Sequence, residues 1–542
     1  MVLRLTILLT CFSLLYLALI FNLYSVQITH GKDYLVRAES QYAAGSLFDA
    51  PRGDIYFTDK AGNFLPAVTD KDFPLIYAVP KVISDPLEAA NQVSAVLNLP
   101  IPDLQAKFSK KDDTYELIVK KATDDEAEKI KEADIKGIFV DIVPERFYPF
   151  GNLSSQVVGF VAPNSTDTGV SGKYGLELFY DDRLAGTVGK MDGGKMVAPE
   201  AGKDLDLTID PNIQIEASRI LKNLIDTYKA PSGAVIVEEP STGKILAMDS
   251  FPNFDPNNYS NSAISDFLNP VTQKIYEPGS VFKIFTMAAG IDSGKITPDT
   301  KFYDTGKLDV SGRTIENWDH QAHGSVTMTN VIELSLNTGA AFAERQTGDS
   351  TFQTYLTKFG FSEKTGIDLP GELKGDLKRL KKGAPAVAFA TASFGQGVAA
   401  TPLEVINAAA AIANGGELMR PYLNSELQPQ TIRQVIEPGT ARQVTDMMVS
   451  AVDKAKVAAI KGYSLAGKTG TAQIPDFKNG GYSDRVINTY VGFGPTKDPK
   501  FVILFKLDDL DQTFLAGQTV VPAFRDLAEF VLNYYNVPPD RL

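Results

Sequence analysis

The stretch YEPGSVFKIFTMAAG, residues 276 to 290, decides how this chain is read. Ser280 and Lys283 stand three apart, just after Pro278-Gly279 and just ahead of an apolar run. On a helix, positions i and i+3 share a face, so the two side chains meet if Ser280 sits at the helix start. The dipole there favours negative charge developing on the hydroxyl. Ser-x-x-Lys is also a common chance spacing, and the same letters describe an ordinary helix start with a lysine whose stem lies along apolar neighbours.

Two more clusters lie downstream. In VIELSLNTGA (331–340), Ser335 and Asn337 stand two apart at the end of a helical pattern. Ser335 can relay a proton and Asn337 can hydrogen-bond a substrate amide or Lys283; the plainer reading is a helix end followed by a turn. In AGKTGTAQI (466–474), Lys468-Thr469-Gly470 is a rarer triplet, and Gly470 permits close approach of a substrate backbone. The run from Gly462 to Thr469 also matches G-x-x-x-x-G-K-[ST] letter for letter. A phosphate-binding loop needs a helix next, however, and Gly-Thr-Ala-Gln-Ile-Pro is poor helix-forming sequence.

Around these clusters the chain predicts a layout. A helix opens at Asp210-Pro211, capped by the aspartate with proline at its first position. GAVIVEEPSTGKILAMDS reads as a β-hairpin, 262–460 as a long and mostly helical middle, and SLAGKTGTAQI, NTYVGFGP and FVILFKLDDL as strands before a last amphipathic helix. A sheet built from both ends of a domain around a helical insertion is an α+β arrangement. Upstream, residues 124–143 read as a surface helix leading into a strand, and the Gly- and charge-rich stretch near 190–206 as a domain boundary.

The length of 542 residues allows two to four domains, and the net charge of −13 argues against nucleic acid as the main partner. A single cysteine, Cys11, excludes disulfides within the chain and cysteine-based structural zinc. Leu5 to Ile28 is uncharged for about 24 residues, enough to cross a hydrocarbon core of ~30 Å, and no small-residue cleavage site follows. It is expected to be an uncleaved signal anchor after a four-residue cytoplasmic N-terminus (1–4), with the remainder exported.

Taken together, Ser-x-x-Lys, Ser-x-Asn and Lys-Thr-Gly in this order resemble the active-site set of penicillin-binding proteins and serine β-lactamases. YEPGSVFK, STGKILAMDSFPNFDPN, TGIDLPGE, SFGQGVAATPLEV and GKTGTAQ extend the resemblance to a penicillin-binding transpeptidase domain. APRGDIYFTDKAGNFL, ERFYPFGNLSSQVVGFV and YGLELFYDDRLAGT resemble the pedestal of class B enzymes, and Glu277 and Asn337 lean toward the division-type branch. The resemblance implies an antiparallel sheet with helices on both sides at 206–542, an α+β pedestal at 29–205 and the transmembrane anchor at 5–28.

It implies Ser280 as nucleophile on a D-Ala-D-Ala stem peptide and Lys283 as its base, with Lys468 helping to depress the lysine's pKa. Ser335 would relay the proton and Asn337 would orient substrate and Lys283. Thr469, Gly470 and Thr471 would bind substrate, and the backbone N–H groups of Ser280 and Thr471 would form an oxyanion hole. The acyl-enzyme would pass to an amine on a neighbouring stem, or be blocked by a β-lactam. No cofactor or metal is implied. Arg52-Gly53-Asp54 falls in a pedestal box, with the arginine expected to pair with pedestal carboxylates.

The implied setting is a bacterial cytoplasmic membrane, single-pass, with the catalytic part outside and a polytopic membrane glycosyltransferase as partner. Three alternatives stay open: a scaffold or regulator of that polymerase, a D,D-carboxypeptidase, and a β-lactamase-type hydrolase using Glu372. Asp319, His320 and His323 imitate a metal set but are expected to serve a loop.

Overall fold

In the computed structural model the described residues are 2–24, 50–163, 169–192, 195–476 and 478–541. They fall into two compact units: Met1–Gly53 with Asp182–Lys203, and Asp54–Asp181 with Asp204–Leu542.

The smaller unit contains helix α1 (Val2–Tyr24), which covers most of the expected span. Residues 25–28 of that span lie outside the described residues, and side chains of α1 are described only at Phe12 and 14–24, where all are exposed. Among the described residues no helix is long and apolar enough to cross a membrane. The anchor therefore rests on the sequence. Arg52 and Gly53 belong to this unit, while Asp54 opens the other.

In the larger unit, the first part is built on strands β1 (Ile55–Thr58), β2 (Phe64–Ala78), β3 (Glu116–Val119) and β4 (Ile138–Phe147). β2 is the hub: it pairs antiparallel with β1, β3 and β4, and β5 (Leu205–Asp206) adds parallel to β1. Helices α2 (Pro86–Leu97), α3 (Ile101–Phe108) and α4 (Asp124–Glu132) carry the apolar residues that cover this sheet, among them Val93, Leu104, Phe108 and Ile130. α4 begins at a capping box in which Thr123 and Glu126 satisfy each other's backbone N–H groups, so the expected surface helix leading into a strand is present.

The second part follows the expected layout at both ends. α5 (Pro211–Tyr228) starts at Asp210, whose carboxylate accepts from the N–H groups of Asn212 and Ile213. The hairpin β6 (Ser232–Glu239) and β7 (Lys244–Phe251) follows. The helical middle holds α6 (Lys283–Asp292), α7 (Met328–Leu334), α8 (Asn337–Thr347) and α9 (Pro402–Ala413). The chain closes with β8 (Ala466–Pro475), β9 (Tyr482–Gly494), β10 (Phe501–Asp511) and helix α10 (Val520–Tyr534).

These strands form one antiparallel sheet in the order β7-β6-β10-β9-β8, so the first hairpin and the last three strands meet at β6 and β10. α5 and α10 pack one face through Ile213, Leu221, Phe505, Phe524 and Leu527, and α9 packs against β6, β9 and β10. The Tyr534 hydroxyl donates to Asp210 Oδ2 at 2.9 Å, tying the end of α10 to the cap of α5.

The middle is less helical than its composition suggests. Three two-stranded pairs interrupt it: 301–304 with 324–327, 307–310 with 313–316, and 417–419 with 431–434. Each strand has only three or four residues, many of them charged, too few for a period-two pattern to stand out in sequence.

Candidate active site

Ser280 sits on a 3-10 turn, Gly279–Phe282, and α6 begins at Lys283 rather than at the serine. The turn is clamped from two sides. Gly279 has φ +60 and donates its N–H to the Gly395 carbonyl at 3.1 Å, while a Cβ on Gly395 would stand 2.2 Å from the Gly279 oxygen. Across from it, a Cβ on Gly470 of β8 would stand 2.8 Å from the Pro278 oxygen and 2.9 Å from Val281 Cγ2. Two glycines, one in the SFGQG segment and one in Lys-Thr-Gly, thus let two backbones close on the serine's turn. Glu277 adds a third tie: its carboxylate accepts from the Gly397 N–H at 3.0 Å and from the Tyr482 hydroxyl at 2.9 Å.

The expected meeting of Ser280 with Lys283 takes a different form. Among the described residues no hydrogen bond joins the two side chains. Lys283 Nζ donates instead to the Ser335 carbonyl at 2.5 Å, to Asn337 Oδ1 at 2.8 Å and toward Ser335 Oγ at 3.2 Å. The Lys283 amine is drawn instead to the fixed acceptors of the Ser335–Asn337 segment.

α7 positions Ser335. It starts at a capping box between Thr327 and Asn330 and ends at Ser335, which takes a left-handed φ of 58. That turn sets the hydroxyl between two amines, because Lys468 Nζ also donates to Ser335 Oγ, at 2.9 Å. Asn337 opens α8, so the predicted turn after Ser-x-Asn is a new helix. Its amide is oriented by the Glu316 carbonyl, which accepts from Nδ2 at 2.9 Å and leaves Oδ1 for Lys283.

Behind Asn337 lies a buried set that sequence reasoning missed. Asn317 Oδ1 accepts from the N–H groups of Asn337 and Thr338 at 3.0 and 3.3 Å, and Asn317 Nδ2 donates to Asp304 Oδ2 at 2.8 Å. Thr338 Oγ1 donates to Asp304 Oδ1 at 2.7 Å. The partners are 13 to 34 positions apart in the chain, so only the NWD letters of 317–319 hinted at them.

Both lysines are buried, Lys283 at 0% and Lys468 at 3% exposure. Burial holds Lys283 well below its ordinary 10.5, and the charge of Lys468 pushes the same way. Burial alone brings Lys468 down to about 7. Two amines on one hydroxyl oxygen cannot both keep a proton cheaply, so the arrangement favours a neutral Lys283: two N–H bonds to fixed acceptors and a free lone pair.

Ser280, Ser335, Asn337, Thr469 and Thr471 line one cleft of about 1750 Å³. Lys468 and Gly470 sit on the same strand as the two threonines, and β8 continues past them as a strand, which removes the phosphate-loop reading. Glu372 is turned away from hydrolytic chemistry: its oxygens accept from Thr365 N and Oγ1 and from Gly366 N, and it does not line the cleft. His320 pairs with Glu316 and His323 with Asp319. Among the described residues no group of three or more His, Cys, Asp or Glu is placed to hold a metal.

Comparison with known proteins agrees with this geometry. Residues 233–529 match the penicillin binding protein transpeptidase domain family, and residues 48–197 match the penicillin-binding protein dimerisation domain family. Stage V sporulation protein D of Bacillus subtilis is 33% identical over 527 residues, covering 91% of this chain and 80% of that protein. The peptidoglycan D,D-transpeptidase FtsI of Escherichia coli is 27% identical over 511 residues, covering 90% and 84%. The solved structure of penicillin binding protein 3 from Mycobacterium tuberculosis, in complex with aztreonam, superposes with a TM-score of 0.70 at 24% identity, covering 91% and 99%.

The chain therefore belongs to the penicillin-binding protein transpeptidase family. Within it, the dimerisation domain and the named relatives put it among the class B transpeptidases of the division and shape branch.

Proposed function

We propose that the chain crosslinks peptidoglycan stem peptides through an acyl-enzyme on Ser280 and is acylated there by β-lactams. The carrying observation is the shared hydroxyl of Ser335 between two buried amines. Neutral Lys283 takes the Ser280 proton as Oγ attacks the penultimate D-Ala carbonyl. The tetrahedral oxyanion is held by the backbone N–H groups of Ser280 and Thr471; one such donor is worth roughly 10²–10³ in rate. The proton then passes through Ser335, beside Lys468, to the departing D-Ala amine. Thr469, Thr471 and Lys468 hold the terminal carboxylate. Asn337 keeps Lys283 aimed and aligns the substrate amide. Attack of a neighbouring stem's amine on the ester completes the transfer and restores Ser280.

The domain reading that goes with this is a pedestal at 29–205 and a transpeptidase domain at 206–542, with residues 5–28 anchoring the chain in the cytoplasmic membrane and the rest outside. The uncharged run from Leu5 to Ile28 supports the anchor. The pedestal then has a lipid-proximal position suited to a polytopic glycosyltransferase partner in septal wall synthesis.

The test is a transfer assay with a D-Ala-D-Ala stem peptide and an amine acceptor. Crosslinked product with stoichiometric D-Ala release is expected; release of D-Ala with hydrolysed peptide alone would make the protein a carboxypeptidase.

A further inference from the structure

We propose that the segment Lys378–Lys382 forms a subsite for carboxylate groups of the stem peptide, on the wall of the catalytic cleft. The inference rests on the transpeptidase reading and adds a specificity element to it. From Lys374 to Lys382 the sequence KGDLKRLKK carries Lys374, Lys378, Arg379, Lys381 and Lys382 against one acid, in a chain of net charge −13. Leu377 and Leu380 are buried, and the Leu380 N–H donates to the Leu377 carbonyl at 2.9 Å. Asp376 is bridged to Ala399 through both backbone groups. The loop is thus pinned by its leucines, and Lys378, Arg379 and Lys381 are left on the cleft lining that also holds Ser280.

Their charge is only partly neutralised in place. Asp376 takes the Lys378 N–H at 2.7 Å and lies 3.5 Å from Lys378 Nζ. Among the described residues no ion pair forms to Arg379 or Lys381. Glu277, the carboxylate whose charge Arg379 feels, already has one oxygen on Gly397 and the other on Tyr482. The acids of the lining are engaged already: Glu316 and Glu333 pair with Lys307 and Lys454, Asp319 is hydrogen-bonded to His323, and Asp476 accepts from the N–H groups of Lys478 and Asn479. The cleft lining therefore combines acids already held by cations or hydrogen-bond donors with two cations, Arg379 and Lys381, that form no ion pair among the described residues and can draw in an anion.

Its volume of about 1750 Å³ exceeds the roughly 300–1,000 Å³ of a small-ligand site, leaving room beyond a D-Ala-D-Ala terminus. What enters a peptide-transfer cleft is peptide, and the anionic groups of a stem peptide are its carboxylates. A planar guanidinium beside two ammonium groups suits them.

The experiment uses the detergent-solubilised full chain and two synthetic stem peptides, each able to act as donor and acceptor, that differ only in an internal carboxylate or carboxamide. Wild type is compared with a Lys378→Gln/Arg379→Gln/Lys381→Gln triple variant and with a Lys378→Arg/Lys381→Arg variant. Labelling by a fluorescent penicillin is measured first on every protein, so that loss of the acylating site is told apart from loss of the subsite. The expected result is that KM for the carboxylate peptide rises about tenfold in the triple variant, while KM for the carboxamide peptide and kcat for both stay put. The arginine variant keeps wild-type discrimination. In wild type, raising salt from about 50 to about 300 mM erodes the preference. Equal KM values for the two peptides in a wild type that labels, or an equal rise for both in the triple variant, would overturn the subsite.

Discussion

In the proposed mechanism the chemistry turns on Ser335, whose hydroxyl accepts from Lys468 and faces Lys283. The two lysines are coupled in a direction that can be tested. Lys283 is held low first by burial and then by Lys468, so Lys468→Met returns part of its proton affinity. The proposed acylation needs Lys283 neutral, so the acid limb of its pH–rate profile should move to higher pH in that variant. Stability should move the other way. The Lys468 pKa falls from 10.5 to about 7 on folding, so the unfolded chain binds more protons between those values. Lys468 thus destabilises the fold fully below about pH 7 and progressively less as pH rises toward 10.5. Lys468→Met should therefore unfold at a higher temperature than wild type at pH 7 while acylating more slowly; a lower unfolding temperature would contradict the cause assigned here. At this scale the residue types were legible and the contacts were not. Ser280, Lys283, Ser335, Asn337 and Lys468 were named from spacing and resemblance, whereas the Glu316 carbonyl and Asn317, which hold Asn337, and Asp304 behind them come from short strand pairs and their connections that the letters do not announce.

At the scale of elements, the site is a 3-10 turn closed between a strand and a loop. The closest approach is at Gly395, with φ +78 and the Gly279 oxygen where a Cβ would go. Gly395→Ala must displace the turn or strain its own backbone, at a cost of about 1–3 kcal/mol. Reduced thermal stability together with an acylation rate lowered by about tenfold or more is expected, read by differential scanning calorimetry and stopped-flow labelling. A variant with wild-type acylation would mean the clamp does not position the serine. The strands at both ends of the domain were readable because β6, β7 and β10 are long and apolar, and Asp210-Pro211 marks a helix start by cap and ring geometry. The short pairs at 301–327 were not, since KFYD, KLDV, RTIE and GSVT gain their strand character from pairing and burial that a window of four residues does not encode.

At the scale of the whole molecule, the first part of the larger unit is organised around one buried arginine. Arg146 Nε donates to Glu177 Oε1 at 2.7 Å and its Nη1 to Asp70 Oδ1 at 3.0 Å; Arg146 and Glu177 are both buried. Asp54, from the Arg-Gly-Asp letters, belongs to the same group, 3.9 Å from Arg146 and accepting from Tyr56 and Thr69. Its carboxylate is thereby committed to the fold. Sequence reasoning singled out Arg52 for pairing with pedestal carboxylates; Arg146, which stands in the quoted box ERFYPFG, was not singled out and pairs with Glu177 and Asp70. Arg146→Met removes a charged partner of the buried Glu177 and should cost about 3–5 kcal/mol in urea unfolding, and Arg146→Met/Glu177→Leu should cost less than the single change. A double variant less stable than the single one would show that the pair contributes net stability.

The central claim is that Ser280 carries the acyl group. The most direct measurement is mass spectrometry of the full chain after brief exposure to a β-lactam, with the adduct mapped on digested peptides. The account predicts a single adduct on the peptide containing Ser280, absent from Ser280→Ala. An adduct on another residue, with Ser280 unmodified, would contradict it.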